Sequence, residues 1–208
     1  STSDRPRPGI GEAEAVDQMV LNTDERMTTN EQLESILSRY QESFINKVYS
    51  DENDDHDLLM DVFGLSPQLK RENRQYWGRE LGLCWQLLVI EALRQHKEFA
   101  PALRIDADEP CDLIVGKFSI DTKYRIGSGD SGTLKKFKSY GPLLRKQGYE
   151  PVFLILREDN LPAAIQACHI GTWTVLTGRE SLDFVKEHSG FDLEAFLKER
   201  AQGFAVNR

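Results

Sequence analysis

Apolar residues recur every three to four positions in several stretches of the chain, which is the spacing of amphipathic helices. The first such helix is predicted over residues 30–49, after a Thr28-Thr29-Asn30 cluster that can cap its amino end. A second pattern begins at Ser66-Pro67, an N-cap followed by proline at the first helical position, and runs to about residue 97. It is apolar on nearly every side, so we expect it in the core. Two further helices are predicted near 179–188 and 192–202.

The middle of the chain has the shorter period of strands. Residues 111–125 predict two short strands joined by a Gly116-Lys117 turn. Residues 152–156 are a continuous apolar strand, and 163–167 and 173–176 are weaker strand candidates. A basic helix, which Pro142 would kink or split, is predicted between them over about 133–147. Helices on either side of a small mixed sheet give the α/β class.

The length of 208 residues suits a single domain with flanking segments. Residues 1–16 hold Gly and Pro breaks and little apolar periodicity, which predicts a mobile arm. Residues 17–208 are then one domain. Within it we distinguish a helical amino-terminal region (28–66), a core of about 77–156 and a carboxy-terminal region (157–208) for recognition and packing.

Charge is unevenly distributed along the chain. The formal net charge of −8 argues against a protein that coats nucleic acid through bulk charge. Residues 117–146 nevertheless carry eight basic side chains and two acidic ones, a local excess of six positive charges. This segment is either a binding surface or a solvated helix face.

Apolar runs and cysteines bear on the cellular location. No apolar run approaches the roughly 20 residues that span a bilayer, so we expect no membrane partner. The amino end lacks the apolar core of a signal peptide. The three cysteines lie far apart, which disfavours a disulfide framework. We therefore expect a reduced, cytoplasmic protein.

An acidic segment over 51–57 is similar at first sight to a calcium-binding loop. It fails the EF-hand pattern, because position six is His56 instead of Gly and position twelve is Val62 instead of Glu. We interpret it as an acidic loop that leads into a short helix.

Two acids and a lysine fall together on the predicted strand pair. If Gly116-Lys117 forms a two-residue turn, counting outward places Asp112 opposite Asp121, with Cβ atoms about 5 Å apart. Lys123 lies two residues beyond Asp121 and so shares its face. Opposed carboxylates repel unless a cation lies between them, and oxygen ligands favour Mg²⁺ or Mn²⁺. This cluster suits metal-assisted hydrolysis of a phosphodiester.

The pattern of Asp112, eight intervening residues and Asp121-Thr122-Lys123 resembles the PD-(D/E)xK nuclease signature, most like that of type II restriction endonucleases. It departs from the signature in one place, because Cys111 separates Pro110 from Asp112. The resemblance covers about residues 77–156. It implies a restriction-endonuclease-like fold, with a mixed central β-sheet flanked by helices.

The resemblance also implies a catalytic site and its partners. Asp112 and Asp121 would bind Mg²⁺, with Mn²⁺ able to substitute, and Lys123 would orient or deprotonate the attacking water. A helix glutamate, Glu80 as first choice or Glu91, would complete the site, with Glu80 as a metal ligand. The substrate would be double-stranded DNA, cut at a short palindromic site to leave 5′-phosphate and 3′-hydroxyl ends. A homodimer and a cognate DNA methyltransferase are then expected.

The basic helix and the Gly/Ser loop before it supply candidate DNA contacts. The lysines of this helix gather on one side and its apolar residues on the other. The predicted DNA-binding residues are Arg125, Ser128, Asp130, Ser131, Thr133, Lys135, Lys136 and Lys138. Candidates for reading bases, which we do not rank, are Arg157, Asn160, Gln166, His169 and Arg179.

Three alternatives remain open. Another PD-(D/E)xK nuclease, of DNA repair or recombination, would carry the same signature. Residues 127–132 read G-x-G-x-x-G between a strand and a helix, with Glu158 after the next strand, as in a dinucleotide-binding Rossmann unit. Against that reading, Asp121, Lys123 and Arg125 interrupt what should be a continuous apolar strand. The third is a non-catalytic DNA-binding module in which Asp112 and Lys123 form a cross-strand charge pair.

Overall fold

A computed structural model describes residues 27–206, so the predicted arm over 1–16 lies outside the described residues. The chain divides into two compact units, Ser1–Asn46 and Lys47–Arg208. Of the first unit, only residues 27–46 are described. The predicted single domain over 17–208 stays a prediction.

The described part of the first unit is one amphipathic helix, α1 (Thr29–Asn46). Its start is fixed by reciprocal hydrogen bonds. The N–H of Glu31 donates to the Thr28 hydroxyl (3.2 Å), and the N–H of Thr28 donates to the Glu31 carboxylate (2.9 Å). The predicted end at residue 49 is wrong, because Val48–Tyr49 form a strand.

The second unit is built on a five-stranded mixed sheet, which confirms the α/β class. The strands of this unit are β1 (Val48–Tyr49), β2 (Phe99–Pro101), β3 (Leu113–Val115), β4 (Phe118–Lys123), β5 (Ser128–Gly129), β6 (Glu150–Ile155) and β7 (Thr174–Thr177). The sheet has the order β2-β3-β4-β6-β7. Strands β2, β3 and β4 pair antiparallel, whereas β4, β6 and β7 pair parallel. The short strands β1 and β5 form a separate antiparallel pair.

Seven helices of the described residues complete this unit. They are α2 (Leu58–Phe63), α3 (Pro67–Glu72), α4 (Arg74–Leu93), α5 (Ser131–Lys146), α6 (Pro162–Ile170), α7 (Arg179–Ser189) and α8 (Leu193–Lys198). The residue before α3 was predicted to cap it, and the Ser66 hydroxyl does accept the N–H of Leu69 at 3.1 Å. Across residues 27–206, no helix combines the length and the apolar character needed to cross a bilayer.

Each face of the sheet has its own apolar core. On one face α4, α7 and α8 pack against side chains such as Ile120 and Leu154. Trp85 of α4 is fully buried there, and its indole N–H donates to the Leu154 carbonyl at 3.1 Å. On the other face α5 and α6 cover Phe153 and Ile155. Strand β4 is therefore central and covered on both faces, where apolar side chains would be expected, yet it carries polar residues.

Two of the predicted elements need correction. The long helix over 66–97 is two helices, because Asn73 ends α3 and its side chain accepts the N–H of Tyr76 as the cap of α4 (3.2 Å). Helix α4 is also not buried on every side, since Leu83 and Leu87 are 50% and 66% exposed. Residues 163–167, predicted as a strand, lie in α6, which begins with Pro162 in its first turn.

Further differences concern short elements and the basic helix. The sequence pattern did not predict β1, β2 or β5. Helix α5 begins at Ser131, two residues earlier than predicted, and continues through Pro142 without being split. The strand at Glu150–Ile155, the strand at Thr174–Thr177 and the last two helices are confirmed to within a few residues.

Candidate functional site

The β3–β4 ribbon has the predicted geometry. Val115 pairs with Phe118 across a turn formed by Gly116 and Lys117. Gly116 has φ +57°, a left-handed conformation that glycine adopts without steric cost. Leu113 pairs with Ile120, so the next position along the same register sets Asp112 opposite Asp121. The negative charge of Asp112 acts on Asp121 at this position.

Asp112 is held by two side chains that the sequence pattern did not single out. Its Oδ2 accepts hydrogen bonds from the backbone N–H of Thr122 (2.8 Å) and from the Thr122 hydroxyl (2.7 Å). Its Oδ1 accepts a longer one from the side-chain amide of Gln86 on α4 (3.3 Å). These three donors fix the Asp112 carboxylate at the end of the ribbon. The only sequence signals were an amide inside the apolar run of α4 and the middle residue of Asp121-Thr122-Lys123.

Asp121 is the more perturbed member of the pair. Its side chain is 16% exposed and faces the α5–α6 side of the sheet. Burial raises the pKa of Asp121 well above its usual range, and the negative charge of Asp112 raises it further. Lys123 opposes this shift, with its Nζ 3.6 Å from Asp121 Oδ2. The Lys123 side chain is 41% exposed, so its amine remains accessible to a ligand.

Neither predicted helix glutamate joins the pair. Glu80 is exposed and lies against Arg79 (3.3 Å), and Glu91 is exposed and lies against Arg94 (3.2 Å). Gln86 is the α4 side chain that contacts Asp112, and at about 100° per residue both glutamates point 120–140° away from it. Roles for Glu80 and Glu91 in this site are therefore not borne out by the geometry. Over residues 27–206, no three His, Cys, Asp or Glu side chains are grouped to hold a metal ion.

The loop after β4 and the start of α5 hold most of the predicted DNA contacts. Ser128 and Ser131 are exposed, as are the lysines of the first α5 turns, Lys135, Lys136 and Lys138. Asp130 has a structural task, because its carboxylate accepts the N–H of Thr133 at 2.7 Å and caps α5. That hydrogen bond lowers the pKa of Asp130. A negative charge at this helix start disfavours an anion there.

Two predicted DNA-contacting arginines are used inside the protein. The guanidinium of Arg125 donates to the carbonyl oxygens of Asp159 (2.7 Å) and Ser50 (3.0 Å). Arg157 is buried and forms ion pairs with Asp57 (2.9 Å) and Asp159 (2.8 Å). A role for Arg157 in reading bases is wrong on this geometry, since its donors are already taken.

The other proposed base readers differ in their surroundings. Asn160 is half-buried, and its side-chain oxygen accepts the N–H of Ile126 at 2.9 Å. Arg179 is exposed and lies 3.2 Å from Glu194. Gln166 and His169 are exposed on α6. Of the five candidate base readers, only Gln166 and His169 have side chains without a hydrogen bond or ion pair to another residue of the range 27–206.

A buried polar network stands behind the end of β4. The amine of Lys70 lies 2.5 Å from Glu52 and 2.6 Å from the Tyr124 hydroxyl, which in turn donates to Asp57. Arg157 contacts both carboxylates. Burial lowers the pKa of Lys70 and raises the pKa of Tyr124, so the phenol keeps its proton. The network ties the acidic loop to the residue that follows Lys123.

The geometry at the ribbon defines what the site can do. Two opposed carboxylates with one amine beside them offer hard oxygen ligands to a cation and a donor to a water or phosphate oxygen. No protein-family model, curated protein or solved structure matches the chain.

Proposed function

We propose that the protein is a Mg²⁺-dependent endodeoxyribonuclease of the PD-(D/E)xK type, with a restriction-endonuclease-like fold, and most like a type II restriction endonuclease. One observation carries the proposal. Asp112 and Asp121 face each other across the β3–β4 ribbon, and the Lys123 amine lies 3.6 Å from Asp121.

The donor set fits a magnesium ion, with Mn²⁺ able to substitute. Mg²⁺ commonly takes one or two protein carboxylates and completes its shell with water and substrate phosphate oxygens. The raised pKa of Asp121 reflects a carboxylate that lacks a sufficient positive neighbour. A bound divalent cation would supply that charge, stabilise the developing negative charge on the phosphate and acidify a bound water.

The side chains of the chain itself have separate tasks in this proposal. Thr122 and Gln86 hold Asp112, so its carboxylate does not have to reorganise when the substrate arrives. The accessible Lys123 amine orients the attacking water and takes part in removing its proton, or binds a phosphate oxygen. Hydrolysis would leave a 5′-phosphate and a 3′-hydroxyl.

The partners follow from this chemistry. The exposed lysines at the start of α5 would neutralise DNA phosphates, while Ser128 and Ser131 offer hydroxyl donors. A palindromic double-stranded target calls for a two-fold homodimer, because symmetric half-sites require symmetric protein. A cognate DNA methyltransferase in the same system belongs to this proposal.

The dinucleotide-binding alternative is disfavoured at the start of α5. In a Rossmann unit the first turn of this helix receives the pyrophosphate. Here the carboxylate of Asp130 already accepts the N–H of Thr133, and its charge would repel a phosphate. A non-catalytic charge pair between Asp112 and Lys123 is disfavoured, since two acids set opposite each other repel and a single lysine does not balance both.

The test is magnesium-dependent cleavage of plasmid and phage DNA, with the fragment ends mapped. We expect cleavage with MgCl₂ and none with EDTA. Lys123→Ala and Asp121→Asn should each reduce the rate by 10² or more, within the range for general acid–base and electrostatic groups. Lys117→Ala, in the turn that precedes the same strand, and Asp183→Asn, on the surface of α7, are the matched controls. Wild-type rates for Lys123→Ala would refute the proposal.

A further inference from the structure

A polar cleft of about 330 Å³ opens between the amino-terminal half of α4 and the β1–β5 pair. We call it the α4 cleft. Tyr124 and Arg125, the two residues that follow Lys123, line one side of it, and Gly127 and Ser128 continue that wall. Tyr124 directly follows Lys123 on β4, so the cleft meets the carboxyl end of this strand on the face opposite the Lys123 amine.

The indole N–H of Trp77, which lines this cleft, is not used in a hydrogen bond to another residue of the range 27–206. Trp85 and Trp173 donate their indole N–H groups to backbone carbonyls, at 3.1 Å and 2.9 Å. Trp77 lines the α4 cleft and is only 8% exposed, yet within residues 27–206 its N–H has no acceptor. No fully buried side-chain nitrogen or oxygen in that range lacks a partner, so this N–H must reach solvent. It is available to a ligand that offers an acceptor.

A glycine in the wall of the cleft has no packing reason to be glycine. Gly78 lies inside α4, where glycine weakens a helix relative to alanine. A Cβ atom built at Gly78 would meet nothing within 4 Å, so no other described residue would clash with a side chain at this position. The space beside the helix backbone is open towards the cleft. A ligand that approaches the helix closely would account for the glycine.

The remaining charges of the cleft show which kind of ligand fits. Its wall carries three basic and two acidic side chains, namely Lys70, Arg74 and Arg125 against Asp51 and Glu52. Lys70 and Glu52 pair with each other inside the buried network, and Arg125 is bound to backbone carbonyls. Arg74 is exposed and has only the exposed Asp51, at 3.3 Å, as an ion-pair partner within the described residues. Arg74, Trp77 and Ser128 thus present donors to an acceptor-rich, anionic ligand.

We propose that the α4 cleft binds the sugar–phosphate backbone of the DNA strand next to the cleaved bond, with Arg74 and Trp77 on a flanking phosphate and Gly78 giving it room. This inference rests on the proposed nuclease function. Gln86, which touches Asp112, lies eight residues along α4 from Gly78, or about 12 Å at 1.5 Å per residue. That separation suits nucleotides a few steps from the scissile phosphate. Tyr49, 70% exposed at the rim, is placed to contact a base or sugar.

Bulk at Gly78 provides the first test. The probe is a duplex that spans a mapped cleavage site, and binding is measured by fluorescence anisotropy with Ca²⁺ in place of Mg²⁺. Gly78→Leu should weaken binding at least tenfold. Gly78→Ala should raise the Tm by about 2–4 °C, because alanine favours the helix, while it weakens binding less. Leu87→Trp, an addition of bulk at an exposed α4 position outside the cleft, should leave binding unchanged.

A salt titration provides a readout that a purely structural role would not change. Loss of one phosphate contact lowers the slope of log K against log salt by about 0.9. Arg74→Gln should show this smaller slope. A methylphosphonate in the DNA at the contacted position should weaken binding by the wild-type protein but not by Arg74→Gln. Lys198→Gln, which removes a cation that is also ion-paired on the surface, should keep the wild-type slope.

The outcomes separate the two proposals. If the wild-type protein neither binds nor cleaves DNA, both are overturned. If it cleaves DNA with loss in Lys123→Ala, but Gly78→Leu binds and cleaves like wild type, the nuclease stands and the α4 cleft is not its subsite. A wild-type salt slope in Arg74→Gln would likewise remove Arg74 from the interface.

Discussion

The contact between Gln86 and Asp112 allows a sharp test of the metal site. In Gln86→Glu a carboxylate replaces an amide that donates to Asp112 Oδ1 at 3.3 Å. Two unit charges about 4 Å apart interact by about 4 kcal/mol at an effective dielectric constant of 20. Both residues are half-buried and the new side chain can turn away, so we expect a loss of about 1–3 kcal/mol in the free energy of unfolding without metal. For a chain of this size that corresponds to roughly 2–12 °C in Tm.

Magnesium should reverse this loss, because a third carboxylate adds a ligand to the pair. A ligand at 100 times its Kd stabilises the native state by about 2.7 kcal/mol. The assay is thermal unfolding in EDTA and in graded MgCl₂, with the increase in Tm expected to be larger for Gln86→Glu than for wild type. Gln95→Glu, an exposed position just beyond α4, controls for the added charge, and Gln86→Met controls for loss of the amide. A Tm in EDTA equal to that of wild type, or a response to Mg²⁺ no larger than that of Gln95→Glu, would refute the reasoning.

Three further perturbations test the charges around the ribbon. Asp121→Asn removes a carboxylate whose pKa is raised by burial and by Asp112. In EDTA at neutral pH this substitution should therefore raise the free energy of unfolding by about 0.5–2 kcal/mol, and it should abolish the stabilisation by Mg²⁺. Calorimetry with and without Mg²⁺ measures both effects. Tyr124→Phe leaves Asp57 and Lys70 without a shared buried hydroxyl and should cost about 1–3 kcal/mol, measured by urea unfolding. Burial acts to raise the pKa of Asp159, but hydrogen bonds from Arg157 and from the N–H of Asn53 outweigh it and hold the pKa below its usual value. Asp159 therefore contributes stability that is present above its ordinary pKa and lost as pH falls through the native one, so Asp159→Asn should flatten the decline of Tm below about pH 4.

The ribbon could be predicted from sequence because its determinants are local. A two-residue turn with glycine in its first position sets the register, and strand alternation then decides which side chains share a face. Asp112 and Asp121 are nine residues apart, so no distant contact was needed to bring them together. The capping residues Thr28 and Ser66 were recognisable for the same reason.

The errors arise where tertiary packing decides. The short apolar run at 163–167 fits a buried strand or a buried helix equally well, and only Pro162 before it favours a helix start. Glu80 and Glu91 share a helix face, but the face of α4 that points at the ribbon depends on how α4 packs across the sheet. Its buried residues Leu81, Trp85 and Val89 leave Gln86 beside Asp112. An arginine looks the same in the sequence whether it lies on a DNA-binding surface or in a buried network, so the location of Arg157 could not be predicted from sequence.

The buried network has a consequence for the proposed catalysis that follows from strand geometry. Lys123 and Tyr124 are consecutive, so their side chains leave β4 on opposite faces. On one face Lys70 and Asp57 hold the Tyr124 hydroxyl, and on the other the Lys123 amine lies 3.6 Å from Asp121. Because a backbone rotation that moves one side chain moves the other, fixing Tyr124 restricts the direction of Lys123. Tyr124→Phe should therefore lower the cleavage rate by a larger factor than it lowers the affinity for DNA. If the network only stabilised the fold, the cleavage rate of this variant would equal that of wild type at temperatures well below the Tm of the variant.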